Sequence, residues 1–292
     1  LALSAGGRLV WYVSIVQLTP LYLDRPLIVL DGDPAAIAAP TIAQRRRLAA
    51  TVTGLGDDQL RRPSRCDGWS GVDVLAHLDG TNRFWSMSIA AATASQPGRV
   101  LDGFDPVATP AAMVEAGRER SPSEVVAAFT DSTTRLIDDL ASVAADAWEM
   151  LGEAPPGHLT LSAVVHHALW DSWVHERDIL LPLGIDPVVA SDEIAAGLRY
   201  AATLGPALRK TMGEQRTGRM VVAGDQPTVV FAVELGEQVA VVTLAEPVET
   251  ADVAGSSVAL LEAFSARGPF PGALDDECAW MISGVAEAFD QA

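Results

Sequence analysis

Lysine is nearly absent from this chain of 292 residues: Lys210 stands alone, and the other 19 basic residues are arginines. Basic residues total 20 against 38 acidic ones, a formal net charge of −18. That balance argues against a nucleic-acid backbone or an anionic membrane surface as a partner. Cysteine is scarce too. Cys66 and Cys278 form no C-x-x-C pair, so neither a disulfide framework nor a thiolate zinc site is indicated, and a reducing cytoplasm fits. No apolar run is long enough to span a membrane. Leu9 to Leu23 is broken by Gln17, Thr19 and Pro20, falls short of the roughly 20 residues a span needs, and has no small-x-small cleavage site after it. Residues 1–34 are therefore expected to be a loosely attached N-terminal extension or a mis-set start. Finally, no G-x-G-x-x-G, P-loop or nucleophile elbow lies in a strand–turn–helix setting, which leaves nucleotide-binding and serine-hydrolase readings without support.

What the chain has in abundance is small apolar residues. Hydrophobic residues make up 49%, mean hydropathy is +0.22 and 47 residues are alanine, a composition for closely packed helices rather than disorder. Helical periodicity predicts a first helix over 38–53, with Arg45-Arg46-Arg47 as a solvated face, and a second from Ser70 to about Ala94. The second opens on a capping box of Ser70 and Asp73. Ser121-Pro122-Ser123-Glu124 marks the start of a third, combining N-cap, Pro at the first helical position and capping-box Glu. After the loop 153–158 comes a fourth helix over 160–181, then a fifth over 191–209. Beyond Thr211 the pattern changes to β-branched runs at 219–223, 228–235 and 239–244, read as antiparallel strands, followed by helices at 256–266 and 275–289. The expected fold is α plus α+β: an up-down four-helix bundle over 35–210, then a small α+β domain over 211–292.

The fourth predicted helix carries three of the five histidines. At 100° per residue, His175 lies about 40° to one side of Asp171, and Asp178 and His167 lie about 20° and 40° to the other. Val164, Ala168, Val174 and Ile179 share this sector, so polar groups sit inside an apolar stripe, while His166, Glu176 and Arg177 point the other way. Buried polar groups need partners or something to coordinate. Asp171 and His175 have the one-turn spacing at which a carboxylate and an imidazole can share a metal ion. His77 faces inward from the second helix, which gives three donors and leaves a fourth coordination position open.

The strings DGWSGVDVLAHL (67–78) and HALWDSWVHERD (167–178) resemble the mycothiol-dependent maleylpyruvate isomerase family, whose bundle belongs to the DinB-like superfamily. The resemblance covers about 38–210 and extends less specifically to ADVAGSSVALLEAF (251–264). It implies that His77, Asp171 and His175 hold a divalent metal, usually zinc, with Asp171 standing where such proteins commonly have Glu. It also implies mycothiol as the thiol cosubstrate and a small electrophile as the substrate. Coordination would stabilise the thiolate far below the free pKa of about 8.5, for isomerisation or S-transfer. Two competitors remain open: a metal-dependent hydrolase on the same bundle, and a non-enzymatic metal-binding or regulatory module.

His167, Asp178 and His158, together with Glu153, are candidates for orienting the ligands from behind. Cys66 reads as a small buried hydrophobe before it reads as a reactive thiol, and Trp69, Trp85, Trp170 and Trp173 read as core. Arg219 and Arg267 are candidates for holding a substrate carboxylate. A monomer or a homodimer is expected.

Overall fold

The computed structural model describes residues 19–245 and 250–289. Four long helices form a closed ring: α1 (Ala38–Thr53), α3 (Gly71–Thr93), α5 (Pro122–Ala141) and α6 (Leu161–Leu180). α3 packs on α5 and α6, and α1 closes the ring against the same two. The short helices α2 (Asp57–Leu60) and α4 (Ala108–Ala116) lie in the connections. Capping fixes where the long helices begin. Ser70 Oγ accepts from the Asp73 N–H while Asp73 Oδ2 accepts from the Ser70 N–H at 2.8 Å, and Ser121 and Glu124 repeat the arrangement ahead of Pro122. Thr160 Oγ1 accepts from the Ala163 N–H to start α6.

α6 is the axis of the molecule. Eighteen of its residues are buried, because α1 and α3 cover it on two sides, α7 (Ser191–Thr211) on a third, and a hairpin of β2 (Leu151–Ala154) and β3 (Gly157–Thr160) at its N-terminal end. This corrects the reading of 153–158 as a loop. It also explains why His166, Glu176 and Arg177, which do point away from the Asp171 stripe, are buried as well. Nor is the arginine run a solvated face: Arg46 is exposed, but Arg45 is wholly buried and Arg47 bridges buried Glu176 and Glu193.

α7 carries the core into a five-stranded sheet of order β1-β6-β5-β4-β7. β4 (Gly218–Asp225), β5 (Val229–Leu235) and β6 (Val239–Thr243) are antiparallel, as their alternation suggests. The edge strands β1 (Ile28–Leu30) and β7 (Val253–Ser256) are parallel to their neighbours, so the sheet is mixed. Met220, Val222, Phe231 and Val233 fill the inner face. α8 (Ser257–Phe264) follows directly from β7, and the segment 275–289, expected as one helix, is two: α9 (Asp276–Ile282) and α10 (Gly284–Phe289).

Of the expected extension 1–34, residues 1–18 lie outside the described residues. The rest is built into the molecule. Leu27 and Ile28 are fully buried, β1 pairs with β6, and the Leu21 and Leu27 N–H groups donate to Pro156 and His158 carbonyls, both at 2.9 Å. Gly157 permits this crossing: its φ is +126°, and a Cβ there would lie 2.2 Å from the Leu21 carbonyl oxygen. Among the described residues no helix is long and apolar enough to cross a membrane.

Candidate metal centre

His77 is carried by α3, and Asp171 and His175 by one turn of α6, where those two helices meet. One ligand atom from each lies within 4.8 Å of the other two. The Nε2 atoms of His77 and His175 both stand 3.5 Å from Asp171 Oδ1. That is long for an N–H···O hydrogen bond, but close to the edge of about 3.4 Å that ligand bonds of about 2.1 Å give in a tetrahedron. His77 Nδ1 is buried and has no protein partner, so this imidazole has no good hydrogen bond at either nitrogen. A buried polar ring left in that condition is costly. The donor set and its spacing therefore suit a divalent cation.

The surroundings hold the three side chains in place. Thr81, one turn beyond His77 on the same face of α3, donates to Asp171 Oδ2 at 3.3 Å. His175 Nδ1 donates to Asp178 Oδ2 at 3.0 Å, which directs the opposite nitrogen of the ring toward Asp171. Burial alone would raise the Asp171 pKa, but the 3.5 Å approach of His77 Nε2 and the charges of His77, His175 and His167 hold it well below the usual carboxylate range. Burial would likewise depress His175, yet hydrogen bonds to Asp178 and Cys66 and the Asp171 charge raise it to about 10. Asp178 is held low against its own burial by His175 and Arg267.

The remaining candidates divide. His167 sits beside the centre, its Nδ1 2.6 Å from the Tyr200 hydroxyl oxygen, with Trp85 and Trp170 against its ring; burial pushes it down to about 4. Asp178 lies directly behind His175. His158 does not join the group, since its two ring nitrogens face the carbonyls of Leu23 and Gly98, each at 2.9 Å. Glu153 accepts from the Tyr22 hydroxyl and from the Val100 and Leu101 N–H groups. These two tie the hairpin to neighbouring loops. Cys66 is partly buried against the Leu60–Val74 side of the core, and it also faces the centre. Its thiol lies 3.2 Å from Asp178 Oδ2 and 3.7 Å from His175 Nδ1. Trp85 and Trp173 are core, while partly exposed Trp69 places its ring 5.6 Å from that of His77. Arg219 is half exposed and pairs with Glu234, whereas Arg267 reaches Asp178. Thr81 and Arg65, which approaches Asp178 at 3.3 Å, were not picked out from the sequence. Thr81 shares the His77 face by its i+4 spacing, a signal that was available. Nothing local marks Arg65 or Arg267 as neighbours of Asp178.

A four-helix ring with an inward histidine, an Asp-x-x-x-His turn facing it and a mixed sheet continuing its core defines the class: a bundle protein with an imidazole–carboxylate centre and an α+β extension. Residues 42–180, just under half of the chain, match the family model described as the mycothiol maleylpyruvate isomerase N-terminal domain. A crystal structure of the mycothiol-dependent maleylpyruvate isomerase is similar over 80% of this chain and 88% of that one, with TM-score 0.54 and 14% identity. A histidine-to-alanine mutant of that protein gives the same figures. At this identity the likeness is one of fold. No curated protein matches the chain.

Proposed function

We propose that the protein is a metal-dependent enzyme that uses a low-molecular-weight thiol, mycothiol by its family, on a small electrophilic substrate. The observation that carries this reading is the convergence of His77, Asp171 and His175 within 4.8 Å, both imidazoles at tetrahedral-edge distance from Asp171 Oδ1, a set of three protein ligands that admits a fourth. Nitrogen and carboxylate donors suit zinc. A cation held by His77, Asp171 and His175 would supply one thing, stabilisation of a thiolate at neutral pH from a thiol whose free pKa is about 8.5. The reaction class is addition of that sulfur to an activated double bond. Rotation and loss of the thiol give cis–trans isomerisation, and retention of the thioether gives S-transfer.

This chain's residues do the rest. Thr81 holds Asp171 by one oxygen and leaves Oδ1 facing both imidazoles. Asp178 fixes the His175 ring from behind. Trp69 lies against the His77 ring and Trp85 against the His167 ring, so the centre has apolar neighbours that reduce access of competing water. Cytoplasmic location follows from the same reading, since low-molecular-weight thiols are kept reduced there.

The test uses zinc-loaded full-length protein with maleylpyruvate and a panel of activated electrophiles, with and without mycothiol. Turnover that needs the thiol and falls by at least about 100-fold in His77→Ala is the expected result. Equal turnover without thiol would overturn the reading in favour of hydrolysis at the same centre. A wild-type protein that holds less than stoichiometric metal would leave only a non-enzymatic module.

A further inference from the structure

Asp178 has no exposed side-chain surface, and its carboxylate is gripped from several directions. Arg267, in the turn after α8, places Nε 3.1 Å from Oδ1 and Nη2 3.1 Å from Oδ2, a two-point clamp across both oxygens. Arg65 touches Oδ1, and the Cys66 thiol donates to Oδ2. The fourth neighbour is His175 Nδ1. Arg267 is itself held in place. Its N–H donates to the Glu262 carbonyl at 2.8 Å, just after Ala266 takes a left-handed φ of +54°, and the Glu262 carboxylate pairs with Arg65 and Arg177 across the same seam.

We propose that Arg267 is a positioning residue for His175. By clamping Asp178 it fixes the plane of the His175 ring, with Nδ1–H toward Asp178 and Nε2 toward Asp171 and His77. The inference rests on the reading of His175 as a metal ligand. The physical reason is geometric. A carboxylate turns about its last torsion in a broad well, and a planar guanidinium bonded to both oxygens removes that freedom where a single contact does not. The sheet-bearing part of the chain thereby takes part in building a centre whose three candidate ligands all belong to the bundle.

The test uses the full chain carrying Arg267→Gln, Arg267→Lys or Asp178→Asn, with Arg219→Gln as a control in the same part of the molecule. Two quantities are read: zinc affinity by chelator competition, and the NMR signal of the His175 Nδ1–H in metal-free protein, as its chemical shift and its rate of exchange with water. Arg267→Gln should weaken zinc about tenfold and speed exchange of the His175 Nδ1–H with water as its bond to Asp178 loosens. Arg267→Lys should recover only part of both, since an ammonium cannot grip two oxygens in one plane. The double variant Asp178→Asn/Arg267→Gln should lose little beyond Asp178→Asn alone, and Arg219→Gln should change neither quantity. Wild-type zinc affinity in Arg267→Gln, alongside loss in His175→Ala, would overturn the inference and leave the metal reading standing. If wild type holds no zinc, the metal reading fails and the NMR measurement decides: an unchanged His175 Nδ1–H signal in Arg267→Gln overturns the positioning role. Should Arg267→Gln fail to fold, Arg267→Lys is read by the same two criteria.

Discussion

Two acid–histidine groups lie along α6, one at its N-terminal end and one beyond its midpoint, and they differ in how their polar atoms are satisfied. In the hairpin corner, Glu153 and His158 face each other across β2 and β3. The Glu153 oxygens take up three N–H or O–H donors, and both His158 nitrogens reach carbonyls at 2.9 Å. At the candidate metal centre His77 and His175 share one oxygen of Asp171 at 3.5 Å, and His77 Nδ1 has no protein partner. The first group has spent its bonding capacity on holding loops together. The second keeps its lone pairs pointed at a common place. From the sequence both are histidines near acids in an apolar setting; the degree of satisfaction separates a rivet from a site.

Metal content should break the comparison most sharply. His77→Ala and His175→Ala should each lower zinc affinity by at least about 100-fold, beyond what loss of an outer partner causes, while His158→Ala and Glu153→Ala stay stoichiometric. Elemental analysis after dialysis against a mild chelator checks this, and retained zinc in His175→Ala would remove the distinction. Stability should sort the two groups the other way. Glu153→Ala strands two backbone N–H groups and the Tyr22 hydroxyl, at a cost of about 3 kcal/mol, read as a lowered denaturant midpoint with metal content unchanged. A third buried histidine sharpens the picture with a smaller effect. His166 donates from Nδ1 to the Ser162 carbonyl, and burial pushes it down to about 4. Between pH 4 and the ordinary 6.5 the unfolded chain binds the proton and the native one does not, so stability rises with pH across that window and is lost on acidification. The contribution is at most roughly 3 kcal/mol. His166→Gln should lower the slope of the stability profile between pH 4 and 6.5, where His167 adds a like slope, and leave it unaltered above pH 7; an unchanged slope would show that His166 is not held neutral.

The helices were legible because their signals are local. The capping box of Ser70 and Asp73, the Ser121-Pro122 start and the period of α6 all act within a turn or two. The same period placed Asp171, His175 and Asp178 on one face, and an inward His77 followed from its own helix. Burial of the opposite face of α6 was not legible, since it depends on α7 packing there, and Arg45 in a charged run gave no sign that it would lie at 0% exposure. The edge strands were missed for a related reason. β1 and β7 are short and gain their partners from residues over 200 and about 30 positions away, and strand formation is set by such neighbours more than by propensity.

The sequence by itself determined the helical periods, the caps and the residue types able to bind a cation, because side-chain chemistry and 3.6-residue geometry are properties of the local chain. Only the tertiary structure decided that His77 meets Asp171 and His175, that His158 does not, and that Arg267 closes on Asp178. Contacts between residues some 90 positions apart depend on how helices pack, and no local spacing encodes that.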